Sequence, residues 1–442
     1  MNRLNNLFKI SLVAGSLTVG FSASADQFHY NNFLMGDRAV GLGGAYTAVA
    51  DDASGVIYNP AGLAFALSND ISGSANAFYA KKITYKNTIG NDPFVEDSSG
   101  SLPAFFGILQ KLDNVAPGLV AAFGSYTTDS DLKDQDTLIE NKKVGGITIR
   151  RFHRTTNVRA NTQYYSLGAG YRLSSNFAVG FGMSYFSVDE LVQEYQDAKQ
   201  TFTQIEGIEW RILGQNIRQR LSVFGIEPQI GFQWAMGGKF SIGASYKHGI
   251  IVGESLEKGV EERTQYLASD DNITSIEAEN GSTAAVVTEK VTLKAYDEPM
   301  KNWPSKTKLG FAWFASTRFL WTADVTHFSS AKGGNPLFDR EAVTNYASGI
   351  EYYVLPSFPL RFGMFTNNDA RPKLDKAKGG QRDNIDYVGE TLFIAWVQPN
   401  SQIAVGAILQ QGSGEAQKLG NSDIQEVEAD SKTFAFSATH NF

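Results

Sequence analysis

Beyond residue 70 the chain repeats one pattern that few folds accept: short stretches of strictly alternating side chains, joined by connections that are short and long in turn. In FAVGFGMSYFSV, Phe177, Val179, Phe181, Met183 and Tyr185 share one face, while Ala178, Gly180, Gly182 and Ser184 share the other. The same period of two runs through FSIGASYKHGI, TKLGFAWFA and SQIAVGAIL, and it marks strands with one apolar face. Six short connections, at 112–118, 173–176, 235–239, 315–318, 354–358 and 397–401, alternate with seven longer polar segments. The latter lie near 86–100, 129–157, 191–217, 255–287, 330–342, 367–385 and 411–431. Turns therefore fall on one side and loops on the other, as outer-membrane barrels arrange them. The arithmetic predicts an all-β fold, a 14-stranded antiparallel transmembrane barrel with both ends on the short-turn side.

Closure follows from the solvent. Lipid offers backbone groups no hydrogen bonds, so an open edge strand would be costly, and a barrel has none. A barrel of this size encloses more space than its own side chains fill. Something else must occupy the lumen, or it is an open pore. The last stretch, TFAFSATHNF, puts Phe434, Phe436, Ala438, His440 and Phe442 on one face and ends on an aromatic. It resembles the strand by which such barrels engage the barrel assembly machinery.

The beginning of the chain carries Arg3 and Lys9, an apolar stretch from Ile10 to Phe21, and Ala23-Ser24-Ala25, the order of a secretory signal peptide over residues 1–25. That stretch is short of the roughly 20 residues of a spanning helix. The expected destination after cleavage is the cell outer membrane, with its lipid and lipopolysaccharide as surroundings. There is no cysteine, which excludes disulfides and thiolate chemistry. The formal charge of −7 becomes 37 − 46 = −9 without Arg3 and Lys9, which disfavours nucleic acid as a partner. With 30 Phe, 18 Tyr and 43 Gly against 12 Pro, the composition suits twisted strands with aromatic girdles.

Residues 26–69 precede the first strand on the short-turn side and are positioned to enter the lumen from there as a hatch, with the barrel over 70–442. Their glycines remove bulk, Asp51 and Asp52 can accept from backbone N–H groups or pair with lumen cations, and Asn59-Pro60 sets a turn. The run GLGGAYTAVADDASGVIYNPA resembles the hatch of the long-chain fatty-acid outer-membrane transporters of the FadL/TodX type. Gly41, Gly43, Ala45, Tyr46, Asp51, Asp52, Asn59, Pro60 and Ala61 carry the resemblance. It implies a hatch-plugged barrel that passes fatty acids or similar hydrophobic molecules by gated passive diffusion, without a cofactor and as a monomer. The family's third and fourth loops first catch the substrate, and its exit is a lateral opening at a kinked strand. Inward Gly168 and Gly170, or Gly180 and Gly182, would permit such a kink here.

In the third long segment Leu191, Tyr195, Ala198, Phe202, Ile205 and Ile212 follow roughly helical spacing and predict a loop helix, either packing over the mouth or catching substrate. Inward Arg172, Lys247 and Arg361 are candidate partners for a carboxylate, or for acids of the hatch. Rival chemistry is poorly supported. GLGGA lacks the lysine of a phosphate loop. Asp129–Asp136 lacks the glycine and glutamate of a calcium loop, which leaves it a solvated or lipopolysaccharide-facing acidic loop. Five histidines group with no serine and acid, so no enzyme is expected. A diffusion porin and a surface adhesin remain alternatives.

Overall fold

The computed structural model describes residues 27–89, 91–144, 147–202, 208–268, 285–419 and 423–442; the expected signal peptide lies outside them. The wall is built from β1 (Asp70–Ile89), β2 (Asp92–Lys111), β3 (Leu119–Val144), β4 (Ile147–Arg172), β5 (Phe177–Phe202) and β6 (Ile208–Met236). It continues through β7 (Phe240–Lys247), β8 (Ile250–Ala268), β9 (Ala285–Asp297), β10 (Lys306–Ser316) and β11 (Phe319–Phe328). It ends with β12 (Val343–Leu355), β13 (Phe358–Asn367), β14 (Asn384–Gln398), β15 (Ser401–Ala416) and β16 (Gln425–Asn441). Every pairing is antiparallel between neighbours, and β1 pairs with β16 to close the ring. Because β7 and β8 both pair with β6 as halves of one wall strand, and β9 and β10 are halves of the next, the barrel has 14 strands.

Side-chain parity follows the alternation. Phe181, Met183 and Tyr185 are exposed on the outside, as are Leu309, Trp313, Ile403, Val405, Phe434 and Phe436, while their sequence neighbours point into the lumen. The tight turn between β6 and β7 uses Gly237 and Gly238 at φ of 57° and 67°, a conformation that other residues adopt only with strain. The long connections differ from the expectation. Most of 86–100, 129–157, 191–217 and 255–268 is strand, so β3 to β6 reach 26–29 residues, whereas about 9–11 cross a membrane. In these extensions the outward face is polar and exposed, while the inward face stays buried but mixes polar residues such as Arg154, Glu194 and Gln219 with apolar ones, so the apolar alternation fades and the sequence looks like loop. Asp129–Asp136 accordingly lies on β3, and Leu191, Tyr195 and Phe202 lie on β5; no helix forms there among the described residues. Ile205 is outside the described residues.

The ladder is interrupted at two places. Between β2 and β3 pairing stops at Phe105 and Tyr126, although β2 stays paired to β1 and β3 to β4 far beyond. Register shifts near Asn76 on β1 and Thr127 on β3 flank the gap. The second break separates β7 from β8 at His248-Gly249. There Pro228 of β6 accepts from His248 N (3.2 Å) and has no N–H to return. A side chain on Gly249 would collide with Trp303, whose ring occupies that space, stacks on Phe186 at 4.6 Å and donates to Glu227 (2.8 Å).

Candidate functional site

Residues 36–66 fold into a compact hatch across the lumen, with two short helices, α1 (Asp37–Gly41) and α2 (Gly55–Tyr58), and a 3-10 turn at Gly62–Phe65. Leu42, Tyr46 and Leu63 are completely buried. What makes the fit possible is glycine in the wall. On nine of the wall strands a side chain added to an inward glycine would run into hatch atoms, as at Gly170, Gly180, Gly231, Gly243, Gly349 and Gly363. Gly170 and Gly180 thus make room for Pro60 and its neighbours, and the β4–β5 ladder passes them without a register shift. Gly43 does the same from the hatch side: at φ +65° it lies against the backbone of Gly363 and Met364.

Polar groups hold the hatch on all sides. Asp37 pairs with Arg361 (3.3 Å) and accepts from Ser437 (2.6 Å) and Gln402. Arg38 binds Glu351 (2.7 Å) and Asp51 (3.4 Å), and Arg361 also reaches Glu351 (2.8 Å). Tyr46 donates its hydroxyl to Asp51 (2.8 Å) and Asp52 (2.9 Å). Tyr46 N, Thr47 N and the Thr47 hydroxyl all donate to Asp324 (3.0, 2.9 and 2.6 Å). Asn59 donates to Thr47 O and to Phe232 O of the wall and accepts from Ala61 N, while Gly41 O accepts from Thr391. Ala45 is buried where its N–H closes a turn on Leu42 O (3.1 Å). Arg172 donates to Ala64 O (3.1 Å). Of the three proposed cations, Arg172 and Arg361 therefore serve the hatch.

Burial, then the negative charge of Asp51, push the Asp52 carboxyl up to about 6. A pKa raised on folding stabilises most below the ordinary carboxylate pKa, and that contribution is lost as pH rises through the folded value. The hatch amides around 51–58 are therefore expected to be best protected from hydrogen exchange near pH 4 and less so above pH 6. Asp52→Asn should flatten that profile; a profile unchanged by the substitution would refute the assignment.

Lys247 stands elsewhere. Above the hatch lies a cavity of about 90 Å³ lined by Tyr58, Tyr126, Tyr164, Trp303 and Phe328, and by Lys247, Lys306 and Lys308. Lys247 contacts the Tyr126 hydroxyl (3.4 Å), Lys308 lies over the Tyr58 ring (4.4 Å) and Lys306 over Phe328 (5.2 Å). None of the three forms an ion pair among the described residues; the nearby Glu227 is engaged by Trp303 and Tyr164. Lys306 and Lys308 were legible by parity, being inward neighbours of Leu309. The segment before α1 covers this cavity: Phe28 O accepts from Ala370 N, His29 contacts Ile385 O (2.6 Å), and Asn31 bonds Asn367 (2.9 Å). Burial pushes the Tyr30 hydroxyl up to about 12.

Asn32 donates to Asp129 (3.0 Å), and Phe33 meets Tyr79 edge-on at 6.0 Å. These residues line a smaller cavity of about 50 Å³ beside the β2–β3 gap. The gap is bridged higher up by Lys133–Glu96 (2.8 Å) and by Gln135 donating to Val95 O (2.7 Å). Of the remaining proposed substrate residues, Leu191 faces outward beside a different concavity and Tyr195 is exposed; neither approaches the lysines.

No protein-family model matches this chain, and no curated protein does. Solved structures do. A Pseudomonas aeruginosa FadL homologue superposes with a TM-score of 0.59 at 11% identity, over 94% of this chain and 100% of its own. The Ralstonia pickettii toluene transporter TbuX gives 0.55 at 10% identity, covering 93% and 100%. The P. putida toluene transporter TodX gives 0.54 at 14%, covering 92% and 98%. Together with the 14-strand wall and the plugged lumen, these likenesses show that the chain has the barrel fold of the FadL/TodX type.

Proposed function

We propose that this protein passes hydrophobic molecules with an anionic end, such as long-chain fatty acids, across the outer membrane by passive diffusion gated by its N-terminal segment. The observation that carries the reading is the cavity above the hatch, aromatic on its walls and holding three lysines, none of which forms an ion pair among the described residues although Glu227 and Asp129 also line it. An uncharged hydrocarbon, the cargo named for TodX and TbuX, needs no such lysines; a carboxylate does. A general porin is disfavoured because the hatch meets the wall backbone to backbone.

Size supplies the gating argument. An apolar cavity that admits benzene measures about 150 Å³, so one of 90 Å³ does not hold an acyl chain until the covering segment moves. At ~0.8 kcal/mol per CH₂, a sixteen-carbon chain gains on the order of 12 kcal/mol from a dry site. That gain is available to displace Phe28 to Leu34. Displacing Asn32 and Phe33 would also join the cavity to the β2–β3 gap, a path into the bilayer that spares an apolar cargo from water.

Proteoliposomes test this. Uptake of a C16 carboxylate should be saturable and exceed that of the C16 alcohol, and Lys247→Met/Lys306→Met/Lys308→Met should erase the preference by roughly tenfold to a hundredfold, the worth of a charge-assisted contact. Salt-dependent conductance without saturable uptake would overturn the proposal in favour of a porin.

A further inference from the structure

The outer face of the wall carries a feature that cargo in the lumen cannot reach. Moving up β4, β5 and β6, the outward apolar rows end in aromatic residues, Tyr165, Tyr185 and Phe224, all exposed. Such a girdle marks the level where the bilayer's apolar layer stops. The outward positions above it are polar, and three of them are arginines: Arg159 on β4, and Arg220 and Arg218 on β6. With about 3.3 Å per residue and strands tilted about 40°, Arg220 lies roughly 10 Å above Phe224, and Arg159 and Arg218 about 15 Å above their girdle residues.

Register brings the three together. Arg159 is opposite Leu191 on β5, and Leu191 is opposite Arg220 on β6. Arg159 and Arg220 are thus two strand spacings apart, about 10 Å, and Arg218 is about 7 Å further along β6. All three line one outward concavity of about 580 Å³, with Leu132 and Leu191 as its apolar patches. They are exposed, and none forms an ion pair among the described residues. Two acids belong to the same lining: Asp189 accepts from Ser222 (3.1 Å), and Glu190 is buried on the inward face of β5; Glu257 is opposite Arg220 on β8.

We propose that this concavity binds the phosphorylated sugar headgroup of a lipopolysaccharide molecule of the outer leaflet. Guanidinium matches phosphate bidentately and is weakly hydrated, and its long stem can bend toward the membrane. The long-ribbon side of a barrel is the outer side, where phosphate-bearing glycolipid stands at this height. The site is independent of what passes through the lumen.

The experiment measures binding of purified lipopolysaccharide to the delipidated, folded full-length protein in detergent. Wild type is expected to bind it, and Arg159→Gln/Arg218→Gln/Arg220→Gln should bind at least about tenfold more weakly, the effect of losing one charge-assisted contact. Arg318→Gln, in the turn between β10 and β11, serves as the unchanged control. Phosphatase-treated lipopolysaccharide should bind wild type as weakly as the triple variant binds the intact glycolipid, a comparison that stands even if the variant fails to fold. Equal binding of treated and intact glycolipid, equal binding by variant and wild type, or equal binding of phosphatidylglycerol micelles would each overturn the proposal.

Discussion

Gly180→Val is expected to unseat the hatch, whereas Gly182→Val, two residues along the same inward row, is expected to leave it in place. A methyl group on Gly180 would fall within contact distance of the backbone of Pro60 and Ala61, both part of the hatch. The nearest atom to a methyl on Gly182 is Gln229 Oε1 at 3.4 Å, and no hatch atom is among its closest neighbours. Overpacking costs about 1–3 kcal/mol, which multiplies the displaced population by roughly 5–150 at 1.4 kcal/mol per decade. Single-channel recording in planar bilayers reads this directly as more frequent and longer large-conductance events for Gly180→Val. Equal records for the two variants would mean that the hatch is not seated on the wall in this way.

Glu351→Ala should have a still larger effect. Glu351 is nearly inaccessible and holds both Arg38 of the hatch and Arg361 of β13, which in turn meets Asp37. Removing the carboxylate leaves two guanidinium groups facing each other with one acid fewer. Breaking a buried pair in this manner costs about 3–5 kcal/mol, a factor of roughly 10² to a few times 10³ in the hatch's docking equilibrium. Hydrogen exchange of the amides at 37–44 is expected to accelerate by that factor, while the barrel keeps its heat-modifiable migration on gels. A change below about tenfold would show that water replaces the carboxylate there. Glu351→Ala combined with Arg361→Met should recover part of the loss, since a buried charge is removed together with its partner.

Much of the wall was legible because lipid on one side and a packed lumen on the other impose a period of two, and turns must break it. Fourteen strands follow from counting those breaks. The extensions of β3 to β6 were not legible, because their buried inward faces carry Arg154, Glu194, Gln196 and Gln219 among the apolar residues and so show no apolar period of two, and the spacing of Leu191, Tyr195 and Phe202 imitated a helix. The interrupted seams were hidden for a different reason. One is set by Pro228 on a neighbouring strand and by Trp303, a residue 54 positions beyond Gly249, and such pairings exist only after the barrel closes. The fates of Arg172, Lys247 and Arg361 diverged for the same cause. Parity says that all three point inward, and only height within the lumen separates those that meet the hatch from the one that meets the cavity.

The contacts of Asp37 bear on how the molecule is made. Asp37 is joined to Gln402 on β15 and Ser437 on β16, so the segment that leaves the ribosome before any strand is fastened by the strands made last. The hatch therefore cannot be fully fastened until both ends of the wall stand beside it. The final zippering of β16 to β1 both shuts the wall and locks the contents. Assembly is thus the wrapping of a container around its stopper, and a barrel caught before its last strand would be an unplugged one.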